Sequence, residues 1–81
     1  MTDGPDDRKR SVTIAGHRTS VSLENEFWDA LGEIAADRRL SVSSLIAGID
    51  ENRGDRGLSA AIRVFVLDWY RARSGARPGN R

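Results

Sequence analysis

From Ser11 to Leu23 the chain reads SVTIAGHRTSVSL, with β-branched side chains alternating with small polar ones, the period-two pattern of a strand with one buried face. The alternation changes phase along the way. Val12 and Ile14 occupy even positions whereas Val21 and Leu23 occupy odd ones, so a straight strand would bury one pair and expose the other. A bulge or a turn at Ala15-Gly16 has to reset the phase. The segment is therefore read as two extended pieces, Ser11–Ala15 and His17–Leu23.

The period then lengthens. Glu24 to Arg38 is acidic in its first turns and apolar at Phe27, Leu31, Ile34 and Ala35, which predicts a helix, with Trp28 beside the stripe covering the edge of the core or a dimer seam. Arg38-Arg39-Leu40 closes that helix with positive charge where its dipole favours it, and Ser41 is placed to cap a second helix from Val42 to about Arg53. Its stripe, Val42, Leu45, Ile46 and Ile49, follows the i, i+3, i+4, i+7 template. Gly54-Asp55-Arg56-Gly57 reads as a turn, after which Ser59 is placed to cap a third helix from Ala60 to about Arg73. Ala61, Ile62, Val64, Phe65, Val66, Leu67 and Trp69 make that helix apolar around most of its circumference, more than a small monomer can hide, so packing against another chain is expected.

The pattern describes a mainly helical domain with a short β-ribbon. At 81 residues the chain buries a modest fraction of its surface, which favours stability borrowed from a partner. A lone strand also leaves its backbone groups unpaired. Antiparallel pairing of His17–Leu23 with a symmetry mate would satisfy both needs, with Thr19, Val21 and Leu23 facing the helices and Arg18, Ser20 and Ser22 facing out. The expected dimer core is Val21, Leu23, Phe27, Leu31, Ile34, Leu45, Ile46, Ile49, Phe65 and Trp69. Residues 1–8 are expected to be a disordered tail, 9–73 the domain and 74–81 a flexible basic tail.

Composition removes several kinds of chemistry. There is no cysteine and one histidine, so disulfides, thiolate chemistry and a zinc site are excluded, and no cofactor motif is present. No nucleophile, base and orienting group stand in a recognisable pattern, and no glycine-rich phosphate loop follows a strand, so an enzyme is not expected. No apolar run is long enough to cross a bilayer, and MTDGPDDRKR places acids where a secretory leader needs basic and then apolar residues, so a cytoplasmic protein is expected.

The net charge of +1 conceals segregation. Arg8 to Leu23 holds four basic residues and no acid, whereas Glu24 to Asp37 holds five acids and no basic residue. Twelve of the thirteen cations are arginine, which suits bidentate contact with phosphate or guanine, although GC-rich coding produces the same bias. An outward row of Arg18, Ser20 and Ser22 on a two-stranded ribbon fits the DNA major groove, where arginine bonds guanine and serine bonds either partner of several base pairs. The unpaired amides at the start of the second helix, at Ser41, Val42 and Ser43, suit a DNA phosphate, and Lys9 and Arg10 add phosphate attraction from a flexible arm. His17, next to the ribbon, is a further possible DNA contact. Each feature also has a plainer reading: a solvated edge strand for Arg18, a simple cap for Ser41, core or dimer seam for Trp28, Phe65 and Trp69.

The run from about His17 to Arg53, a polar-alternating strand entering a helix at Leu23-Glu24 and then a serine-capped second helix, resembles the ribbon-helix-helix DNA-binding proteins, the superfamily of the Arc and MetJ repressors. KRSVTIAGHRTSVSLENEFW with the later LSAAIRVFVLDW is similar to a compact bacterial ribbon-helix-helix domain family, over about residues 9 to 70. The resemblance implies a ribbon-helix-helix homodimer with an additional C-terminal helix, binding double-stranded DNA as a repressor-like regulator. In that pattern Arg18, Ser20 and Ser22 read bases and Ser41 to Ser43 clamp a phosphate. SVTIAG before the strand and the third helix after GDRG depart from a minimal member, and leave open whether the ribbon face is free. The alternative is a protein–protein adaptor or antitoxin-like module engaging a partner through the third helix, for which the tail after Ser74 is short and polar.

Overall fold

The computed structural model describes residues 7–74. Its elements are β1 (Asp7–Ile14), β2 (His17–Glu24), α1 (Asn25–Arg38), α2 (Val42–Glu51) and α3 (Leu58–Arg73).

The phase change in the strand pattern is a hairpin turn. Ala15 and Gly16 have φ of 52° and 83°, and two successive positive φ values are what a type I′ connection requires. The strands pair antiparallel, Ile14 opposite His17, Val12 opposite Thr19, Arg10 opposite Val21 and Arg8 opposite Leu23. Even positions of β1 thereby share a face with odd positions of β2, and Val12, Ile14, Val21 and Leu23 are all buried on one side. The ribbon thus forms within one chain. The expectation that β2 would depend on a second chain for its partner strand is corrected: β1 satisfies one edge of β2 directly.

The ladder also draws in residues assigned to a tail. Asp7 and Arg8 are strand residues, and Lys9 and Arg10 lie in β1 and not on a flexible arm, because Ser22, Val21 and their neighbours supply paired backbone groups this far back. Residues 1–6 and 75–81, the rest of the two expected tails, lie outside the described residues.

Helix α1 starts from Glu24 in extended conformation and ends at Arg39, whose φ of 61° turns the chain out of the helix, with the Arg39 and Leu40 amides bonding Ala36 and Ala35 carbonyls. Its buried residues are Trp28, Leu31, Ile34 and Ala35. Phe27 is only half-buried, so the stripe turns one residue from the expected position. The cause is on the ribbon: the Trp28 indole N–H donates to the Arg8 carbonyl at 2.7 Å, and the Arg10 guanidinium lies over the ring, 4.7 Å from its centroid.

Ser41 caps α2, its hydroxyl oxygen accepting from the Ser44 amide at 3.0 Å. Leu45, Ile46 and Ile49 are buried on this helix. Helix α3 starts at Leu58 with Gly57 as its cap residue, so Ser59 does not cap it. The Ser59 hydroxyl donates instead to the Ser22 carbonyl at 3.1 Å, tying the helix to β2. Ala61, Ile62 and Val66 are buried against the helices and strand of the same chain. Part of its apolar surface does remain outside: Val64, Leu67 and Tyr70 are exposed.

The core lies between the inner ribbon face and the three helices, with Leu23, Leu31, Ile34, Ile46 and Ile62 wholly enclosed. Burial of each such side chain contributes about 1.5–3 kcal/mol. No polar or charged side chain is buried among the described residues.

Candidate nucleic-acid interface

The outer face of the ribbon is opposite this core. Cross-strand pairs Lys9–Ser22, Ser11–Ser20 and Thr13–Arg18 project from it. All are exposed except Ser22, which is half-buried. Two residues per strand separate neighbours on one face, so the row spans about 13 Å along the ribbon. These three pairs carry two cations, Lys9 and Arg18, and four hydroxyls, and the next pair in the row, Asp7–Glu24, brings acidic residues to the end of the strands.

The turn also fixes how the backbone is used. A two-residue loop makes Ile14 and His17 the closing hydrogen-bonded pair, and hydrogen-bonded and open pairs then alternate. Arg18, Ser20 and Ser22 therefore direct their amides and carbonyls away from β1. Helix α3 occupies the Ser22 end of that edge: Ser59 bonds the Ser22 carbonyl, and Arg63 makes a two-point contact with the Glu24 carboxylate at 3.0 and 3.2 Å. The hydrogen bond from Arg63 holds the Glu24 carboxyl below its ordinary pKa. Glu24 is the first acid after the basic segment, and Arg63 neutralises it beside the ribbon.

At the start of α2, the Ser44 amide is committed to Ser41. The amides of Val42 and Ser43 then carry the positive end of the helix dipole. Ser41 is exposed, and Val42 and Ser43 are half-buried. No acid stands in this first turn.

The other expected site residues divide as follows. Arg18, Ser20, Ser22 and Lys9 share the outer face. Arg10 is on the inner side, over Trp28, with its side chain still exposed. His17 is exposed at the ribbon tip and pairs with Ile14, so it belongs to the inner-face row. Val21, Leu23, Leu31, Ile34, Leu45, Ile46 and Ile49, expected in a dimer core, are buried within the single chain. Phe27, Phe65 and Trp69 are half-buried beside them. Sequence reasoning missed Ser11 and Thr13. The signal was present, since both alternate with Val12 and Ile14, and a two-residue turn would have placed them beside Ser20 and Arg18.

Two apolar surfaces remain. A groove between α2 and α3 of about 720 Å³ has Leu40, Leu45, Ile49, Val64 and Phe65 among its lining residues, with Arg38, Arg53 and Arg56 also lining it. A second depression includes Phe27, Val64, Leu67 and Tyr70. No helix among the described residues is long and apolar enough to cross a membrane.

A two-stranded ribbon with a polar outer face, backed by consecutive helices, defines the class as a ribbon-and-helix scaffold of the kind that carries nucleic-acid readers. The chain belongs to the ribbon-helix-helix domain family, whose model matches residues 7–70. Members of this family are in general dimeric DNA-binding modules and typically not enzymes. The solved structure of an uncharacterized protein from Bordetella pertussis Tohama I is similar, with 32% identity and a TM-score of 0.73. The match covers 91% of this chain and 64% of that one, so the present chain spans somewhat under two thirds of the length of this relative. No curated protein matches the sequence.

Proposed function

We propose that this chain is a sequence-specific DNA-binding protein, a bacterial, repressor-like transcriptional regulator that acts in the cytoplasm as a homodimer and without a cofactor. The observation that supports this reading best is the outer ribbon face from Lys9–Ser22 to Thr13–Arg18, which is largely exposed and carries two cations and four hydroxyls, while the Glu24 carboxylate at its end is held by Arg63. Arg18 bonds guanine in the major groove, and Ser20 and Ser22 bond base edges beside it. Lys9, Arg10 and the amides at Ser41, Val42 and Ser43 hold phosphates and set the register, with His17 a further contact at the ribbon tip. The partner copy covers apolar surface left on α3 and beside it, where Leu40, Val64, Leu67 and Tyr70 are exposed.

Selection of binding sites from random duplexes, followed by titration of the wild type and Arg18→Ala, tests the reading. The wild type is expected to recover a preferred site, and the variant to lose about 1–3 kcal/mol of discrimination while remaining folded. Failure of the wild type to bind duplex DNA near physiological salt would overturn it. The exposed Val64, Leu67 and Tyr70 favour a second reading, an adaptor that docks a different protein on α3. A purified homodimer in which these three residues are covered removes the surface that reading needs.

A further inference from the structure

We infer that the outward stripe of α3 is a seam with a second copy of the chain, in which the two third helices lie antiparallel across a two-fold axis. The inference rests on the homodimer of the proposed function and not on its DNA contacts, and it names the residues that join the copies.

The first observation is spacing. Ala60, Val64, Leu67 and Arg71 are all exposed. Their separations of four, three and four residues put them in one row along the helix, the repeat with which two helices mesh. The other side of α3 is committed to the fold, where Ile62 and Val66 are buried. Leu67, 52% exposed, is the most open large apolar side chain among the described residues.

Shape identifies the occupant. Beside Leu67 is a depression of about 370 Å³ lined by Phe27, Val64 and Tyr70, with Arg63, held by its two-point contact with Glu24, also lining it. A projecting side chain next to a hollow on one surface is self-complementary under a two-fold axis, because each copy's Leu67 enters the hollow of the other.

Charge and size fix the direction. Parallel helices would set Arg71 against Arg71. Antiparallel helices that place Val64 opposite the second copy's Leu67 also place Arg71 opposite Ala60, whose small side chain leaves it room. The two Arg71 residues are then eleven positions apart along the pair, about 16 Å at 1.5 Å per residue. That is about twice the screening length of about 8 Å at physiological salt. The seam also adjoins the ribbon. Helix α3 begins at the Ser22 end of the β2 edge, and further along Arg18 and Ser20 direct their amides and carbonyls away from β1. A copy seated on the stripe is thereby brought to the edge whose backbone groups want a partner.

The experiment combines disulfide formation with sedimentation equilibrium. The sequence has no cysteine, so Ala60→Cys and Arg71→Cys proteins can be oxidised separately and as a mixture. Only the mixture is expected to form an interchain disulfide, because like positions lie about 16 Å apart and a disulfide needs Cα atoms within about 7 Å. Leu67→Glu should raise the dimer dissociation constant about tenfold or more, and Leu67→Met should leave it within about threefold. Circular dichroism checks that each protein is folded. No disulfide in the mixture, or one that forms equally well in either variant alone, would overturn the inference. A folded Leu67→Glu protein that self-associates as tightly as the wild type would also overturn it and leave the stripe to a different protein. A wild type that is monomeric would overturn both the inference and the proposed homodimer. If the mixed disulfide forms but the wild type binds no duplex DNA, the inference stands and the proposed DNA-binding function falls.

Discussion

The indole N–H of Trp28 donates to the backbone carbonyl of Arg8 across 2.7 Å, joining α1 to the first strand of the ribbon. The Arg10 guanidinium lies over the same ring. One side chain thus fills the core, holds β1 against α1 and places a basic residue at the ribbon margin. Trp28→Phe removes the donor and part of the packed area, and should destabilise the fold by about 1–2 kcal/mol, measured by chemical denaturation. An unchanged midpoint would mean that the bond contributes nothing to holding β1.

The turn offers a change of opposite sign. Ala15 has a φ of 52°, a region that disfavours residues with a Cβ and that asparagine tolerates better. Ala15→Asn is expected to stabilise the hairpin by about 0.5–1 kcal/mol and raise the melting temperature. A lowered melting temperature would contradict a two-residue turn at this position.

Strand pairing within one chain can be tested covalently, since the sequence has no cysteine. Ser11 and Ser20 are directly opposite on the outer face, and the Cα separation of about 4.5 Å in an open pair lies within disulfide range. The double variant Ser11→Cys/Ser20→Cys should oxidise to a monomeric species on a nonreducing gel. A double variant that forms no intrachain disulfide would contradict the pairing of Ser11 with Ser20.

The Glu24–Arg63 contact gives a pH dependence. Arg63 lowers the Glu24 pKa in the folded chain, so the stabilisation is fully present above the ordinary carboxylate range and is lost as pH falls through the lowered value. Between neutral pH and about pH 3 the wild type should lose more stability than Glu24→Gln, as read from melting temperatures. Equal losses would show that the pair does not couple α3 to β2.

Much of the fold was legible in the sequence because hydrophobic periodicity reports directly on buried faces. The strand alternation put Arg18, Ser20 and Ser22 outside, and its change of phase marked Ala15-Gly16 as the place where the chain must turn. The unread parts depend on long-range partners. DRKR looks like a solvated tail because its strand character comes from pairing with β2 and not from its own apolar content. Phe27 and Trp28 both fit a helix stripe, and the indole bond to Arg8 decides between them. Ser59 has the position of a helix cap, but a carbonyl distant in sequence takes its hydroxyl. Ser11 and Thr13 were missed for a different reason. Their outward placement follows from the same alternation, once β1 and β2 are recognised as one hairpin.

The most direct test of the central claim is titration of purified protein into duplex DNA at two salt concentrations, with Arg18→Ala measured alongside. Binding is expected to weaken steeply with salt, by about 0.9 in log affinity per log salt for each phosphate neutralised, and specific binding to be lost in a folded Arg18→Ala variant. A folded wild type that shows no duplex binding near physiological salt, or an Arg18→Ala variant that binds its site as well as the wild type, would contradict the claim that the outer ribbon face reads DNA.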